Sequence, residues 1–179
     1  MNANSKINNL RERTNRLLES TDFCGLAVIM LAITLERQVK NAVVFNYRRS
    51  GLSASFIRRH LINQMSYSKI LSELEWSGAF KEKKIKKIWK EAKTPVDDLF
   101  GVMEIRNKII HSNTNVSSTM INKSANELIF VIEALGYIFQ KEFGYNGLDP
   151  LPKTIRNKDL ILSTKLIHKS ITSKFKQSK

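Results

Sequence analysis

Residues 23–46 read FCGLAVIMLAITLERQVKNAVVFN, and their spacing decides the fold. Through Phe23, Leu26, Ala27, Val28, Ile29, Met30, Leu31 and Ile33 the stretch is apolar nearly all round, as in a helix enclosed by neighbours at the centre of a bundle. Beyond that point it turns amphipathic. Leu35, Val39, Val43 and Val44 recur at helical spacing, while Glu36, Arg37 and Lys40 point elsewhere. The apolar run from Cys24 to Leu35 is 12 residues long, too short to span a bilayer. It also starts too late, behind mixed charges, for a signal peptide, so the chain reads as cytoplasmic. Cys24 is the single cysteine; it cannot form an internal disulfide and, inside this run, reads as core rather than nucleophile.

Helical spacing continues in both directions. Upstream, residues 4–20 are polar and charged with Ile7, Leu10, Leu17 and Leu18 on one side, and Ser20, Thr21 and Asp22 offer caps for the central helix. Downstream, Gly51 breaks the chain and Ser53 or Ser55 opens a short helix through Met65. A further helical stretch covers residues 66–74, and a Lys-rich helix covers 79–92. Thr94-Pro95 is a start signal, with Asp97 and Asp98 in the positive first turn; that helix is expected over Pro95–His111. Ser117 or Ser118 then opens a long helix to Phe143, with Ala125, Leu128, Ile129, Ile132, Leu135, Ile138 and Phe139 on its apolar side. Residues 144–152, GYNGLDPLP, are turn-rich. Only 7 Gly and 3 Pro occur, too little punctuation for many short strands. The expected architecture is all-α, an up-and-down bundle with an added basic C-terminal helix over 157–175.

The 179 residues suit one domain with an appended tail. Charge is uneven. The formal net charge is +14, and two blocks carry most of it: residues 81–93 hold seven Lys and two Glu, and residues 153–179 hold eight bases and one acid. Such an excess attracts polyanions, nucleic acid above all, although a solvated helix face and a ragged tail explain it as well. No HExxH, CxxC or other metal-spaced set occurs, and no Gly-rich phosphate loop. No metal or cofactor is expected.

The constellation that carries chemistry is EIRNKIIHSN, residues 104–113. With Val96 at the origin and 100° per residue, the apolar side chains of the Pro95–His111 helix fill an arc of about 220°. Arg106 falls in the middle of that arc at about 280°, Asn107 within it at about 20°, and His111 on its margin at about 60°. A guanidinium in an apolar interface must meet an anion, carbonyls or water, because left unpaired it costs several kcal/mol. So wide an arc also implies burial from two sides, the chain's own core and a second subunit. Arg106 and His111 are about 140° apart on one ideal helix. A two-fold axis beside the helix would place both copies of each around one cleft; a distorted final turn would instead bring the two together within one chain.

Arg106-Asn107-Lys108-Ile109-Ile110-His111, with its four-residue spacer and polar second position near a helix end, resembles the HEPN family (higher eukaryotes and prokaryotes nucleotide-binding domain). The resemblance covers roughly residues 20–143 and implies a metal-independent endoribonuclease working as a homodimer, with the Pro95–His111 helix at the interface. It implies that His111 handles the 2′-hydroxyl or leaving-oxygen proton, that Arg106 binds the scissile phosphate, and that Asn107 orients His111 or bonds the phosphate. The implied products carry a 2′,3′-cyclic phosphate and a 5′-hydroxyl. The family includes toxins of toxin–antitoxin pairs and phage-defence effectors, so an antitoxin or regulatory protein is an implied partner. It also includes members that have lost catalysis. The alternative reading is therefore a catalytically inactive helical regulator that binds nucleic acid or protein. On this reading residues 1–143 form the HEPN-like bundle, 144–156 a turn-rich linker and 157–179 the basic helix or tail.

Secondary candidates surround the motif. Glu36 and Arg37 are placed to support His111, or are an ordinary exposed turn. Arg48 and Arg49, after Tyr47, offer a grip for RNA phosphate, or form a polar helix end. Lys83 and Lys87 belong to the Lys block that either lines an RNA track or simply faces water. The cationic tail helix has one aromatic residue, Phe175, which is poor equipment for a membrane surface, and no membrane partner is expected.

Overall fold

The computed structural model describes residues 3–20, 23–49, 51–63, 66, 69–70, 106–108, 110–111 and 116–155. Most of these residues are helical and none lies in a strand, so the described part of the chain is all-α. Four helices organise the described part: α1 Ala3–Leu18, α2 Cys24–Arg48, α3 Ala54–Ile57 and α4 Ser118–Phe143. A π-helical turn, Arg58–Ile62, continues α3. The expected Lys-rich helix, the first part of the Pro95–His111 helix and the tail helix all lie outside the described residues.

The core is the seam between α2 and α4. Val28, Leu31, Leu35, Val39, Ala42 and Val43 of α2 are fully buried, and they recur at the three- and four-residue steps that line one side of a helix. All seven apolar positions expected on α4, from Ala125 to Phe139, are buried there too. Each large side chain so enclosed contributes about 1.5–3 kcal/mol relative to exposure. α1 is mostly polar and lays Leu10 and Leu18 against this core. Its Thr14, fully buried, is accommodated by bonding its hydroxyl to the Leu10 carbonyl at 2.8 Å.

Two details correct the sequence expectation for α2. Its N-cap position is Phe23, with no side-chain cap bond, one place later than the expected capping residues, of which Thr21 and Asp22 lie outside the described residues. Its first half is also not enclosed all round: Phe23, Leu26 and Ile33 are about half exposed (55%, 48% and 56%). The covered side is the one that carries Ala27, Val28, Leu31 and Leu35.

Elsewhere the local signals behave as their chemistry requires. Ser53 caps α3 by accepting from the Phe56 N–H at 3.2 Å, and Ser117 caps α4 by accepting from the Met120 N–H at 3.3 Å. α4 ends at Gly144, whose φ of +72° and N–H bond to the Gln140 carbonyl form a left-handed cap that glycine adopts most readily.

Residues 145–155 contain the expected turns, and those turns are fastened down. Asn146 Oδ1 accepts from the N–H groups of Leu148 and Asp149 at 2.9 and 3.0 Å. Tyr145 stacks on Phe45 of α2 with centroids 4.7 Å apart, and its hydroxyl donates to the Asp149 carbonyl. Three polar side chains of α2 hold the same segment. Gln38, fully buried, donates to the carbonyls of Ile132 and Asn146 at 3.0 and 3.1 Å. Asn41 donates to the Gly147 carbonyl at 3.0 Å. Arg48 donates to the carbonyls of Pro152 and Lys153. From α1, Lys6 pairs with Asp149 at 2.8 Å. The segment is thus a strap across α2 and α1, and its Leu148, Leu151 and Ile155 pack on the core.

Candidate functional site

Arg106, Asn107 and His111 are helical, within the described residues 106–108 and 110–111. Arg106 is half-buried, which suits a long side chain that keeps its stem against the protein and its head accessible. Its Nη1 donates to Asn107 Oδ1 at 2.9 Å. That bond fixes one edge of the guanidinium and uses one of its five N–H donors. The planar fork therefore keeps donors for an anion, in the geometry that suits a phosphate. Asn107 and His111 are exposed, and Ile110 is 40% exposed. The chain itself leaves this part of the motif face open, although the helical-wheel arc had placed Asn107 and Ile110 among the apolar positions.

The secondary candidates are dispersed. Glu36 pairs with Lys40 one turn later at 2.5 Å. Arg37 is exposed and lies by α1 and Leu148; among the described residues no hydrogen bond or ion pair joins Glu36 or Arg37 to the motif. The Arg48 guanidinium is committed to the two strap carbonyls, a structural use of the group expected to grip RNA. Arg49 is half-buried at the end of α2, its backbone N–H bonded to the Phe45 and Asn46 carbonyls. Lys83 and Lys87 lie outside the described residues. Cys24 is half-buried against the core. His60, exposed on the π-helical turn, packs its ring against Phe56 with centroids 4.8 Å apart. No cluster of three or more His, Cys, Asp or Glu able to hold a metal ion occurs among the described residues. None of their helices is long and apolar enough to cross a membrane.

The polar grip of α2 on the strap was missed by the sequence reading, though a signal was present. Gln38 lies three residues after Leu35 and four before Ala42, inside the apolar stripe, where a polar residue needs a partner. Around it two groups have shifted acidities. For Asp149, burial acts upward, but hydrogen bonds from Lys6 and Asn146 and the Lys6 charge outweigh it and hold the carboxyl below its usual range. For Tyr145, burial first and then the Asp149 charge push the phenol upward. The Asp149 shift reflects its pairing within the strap, whereas the Tyr145 shift reflects mainly burial.

The chain finds no match among protein-family models, curated proteins or solved structures.

Proposed function

We propose that this chain is a metal-independent endoribonuclease of the HEPN type, working as a homodimer and serving as a toxin or phage-defence effector in the cytoplasm. The observation that carries the proposal is the motif itself on a helix: a half-buried Arg106 aligned by Asn107, followed by an exposed His111. The net charge of +14 supports RNA as the polyanion.

The chemistry follows from these groups. The 2′-oxygen attacks the adjacent phosphorus, the bond from phosphorus to the 5′-oxygen breaks, and one proton passes from the 2′-hydroxyl to the departing oxygen. His111 is the group that handles this proton. Imidazole changes charge near neutral pH, and positioned proton transfer is worth about 10²–10⁴-fold. The Arg106 fork holds the phosphate and the charge that gathers on it in the transition state. Asn107 keeps the fork in place. A second copy, set against the open face around Ile110, brings its own Arg106 and His111 to the same cleft.

The test is total RNA incubated with the purified full chain and a chelator. The wild type should cut, and Arg106→Ala and His111→Ala, folded by circular dichroism, should lose about 10²-fold or more of that activity. Undiminished cutting by both variants rejects the site. A wild type that binds RNA without cutting it leaves the regulator reading in force.

A further inference from the structure

The cations of α1 and α2 divide into two groups. Arg11 donates two hydrogen bonds to the Glu133 carboxylate of α4, at 2.6 Å each. Arg16 pairs with Glu12, Lys40 with Glu36 and Lys6 with Asp149, and Arg48 is spent on carbonyls. Arg13 and Arg37 have neither a hydrogen bond nor an ion pair among the described residues, and both line one cleft between α1 and α2. The cleft holds about 430 Å³, room for a nucleotide-sized group.

The surroundings suit an anion. Lys6, on the same α1 face as Arg13, is already paired with Asp149, and Ser5 and Asn9 add polar side chains to the wall. Asp149, the carboxylate beside the lining residue Leu148 in sequence, is already engaged by Lys6 and Asn146. Leu148 gives the cleft an apolar patch against which a ribose or base edge can rest. Two unpaired guanidiniums beside a polar wall and an apolar patch match the alternation of phosphate and nucleoside along a single strand.

We propose that the α1–α2 cleft binds the phosphate backbone of single-stranded RNA, with Arg13 and Arg37 as its contacts. The proposal rests on RNA being the substrate of the motif, and it adds a binding track that neither basic block of the sequence supplies. It makes contact independent of base identity, because phosphates carry no sequence.

The test is fluorescence anisotropy with a labelled 2′-O-methyl RNA of about 12 nucleotides, which cannot be cut by 2′-oxygen attack, so binding is read apart from catalysis. Arg13→Gln/Arg37→Gln should weaken binding about tenfold at moderate salt. It should also reduce the slope of log affinity against log salt by about 1.4, at about 0.7 per phosphate contact for a single strand. Arg11→Gln/Arg16→Gln removes the same charge from paired positions and should change little. Equal loss in both double variants, or no loss in the first, overturns the cleft. Adenosine monophosphate binding as tightly as the oligomer would make it a mononucleotide site and overturn the RNA assignment. If the wild type binds as described but cuts no RNA, the nuclease reading fails while the cleft stands. If it cuts RNA but the first double variant binds normally, the reverse holds.

Discussion

Replacing Gly147 by Ala probes how tightly the strap sits on α2. At Gly147 φ is +78°, and an added Cβ would lie 2.7 Å from Gln38 Cγ and 2.7 Å from the Gln38 carbonyl oxygen. The left-handed backbone alone costs an Ala about 1–2 kcal/mol. The oxygen belongs to the α2 backbone and cannot step aside, so the strap must back away. That movement strains the Asn41 bond to the Gly147 carbonyl and the Gln38 bond to the Asn146 carbonyl. Losing either leaves a buried polar group unpaired, at about 1–3 kcal/mol. The expected total is about 2–5 kcal/mol, a large share of the 5–15 kcal/mol typical of a folded domain. Gly144→Ala is the internal control. Its φ is +72°, with nothing within 4 Å of the added Cβ, so it carries only the backbone part. Urea unfolding followed by circular dichroism should place the Gly147→Ala midpoint below that of Gly144→Ala by about 0.5–1.5 M, for a slope near 2 kcal/mol/M. Coincident midpoints would refute the packing of the strap against Gln38.

The remaining predictions concern the groups that hold the strap. Gln38→Leu keeps the volume but leaves the Asn146 carbonyl without its buried donor, so stability should fall by about 1–3 kcal/mol, read as a lower urea midpoint. The Asp149 carboxyl is held below its usual range when folded. Its stabilisation is therefore complete above the unfolded value of about 4 and is lost as pH falls through the folded value. Asp149→Asn should flatten the acid limb of stability below about pH 4 and lower stability near neutrality; an unchanged acid limb contradicts the pairing. Because Asp149 is 35% exposed, the effect should stay under about 1 kcal/mol.

Much of this fold is legible in the residues, for physical reasons. The α4 stripe from Ala125 to Phe139 repeats at three- and four-residue steps over seven positions, and only a helix buries such a set together. Ser53 and Ser117 act as caps because a hydroxyl just before a helix meets an unpaired N–H whatever the tertiary context. The start of α2 differs: Ser20, Thr21 and Asp22 offer caps, but the N-cap position falls on Phe23, whose side chain cannot cap. Composition marked residues 144–152 as turns, but it does not say what turns rest on. That depended on Gln38, Asn41 and Arg48, which the apolar pattern of α2 passes over. The motif was legible as residue types and spacing. Its Arg106–Asn107 bond was not, since neighbouring side chains on a helix meet only in particular rotamers. Arg13 was invisible for another reason: an arginine stands out only once its neighbours are seen to be paired.

If Arg106 and His111 cut RNA through its own 2′-oxygen, as proposed, the cut ends carry the mark of that attack. A defined single-stranded RNA incubated with the full chain in chelator should yield fragments ending in 2′,3′-cyclic phosphate and beginning with 5′-hydroxyl, seen by mass. The His111→Ala protein should yield none. Fragments with 3′-hydroxyl and 5′-phosphate ends, or unchanged cutting by His111→Ala, would contradict it.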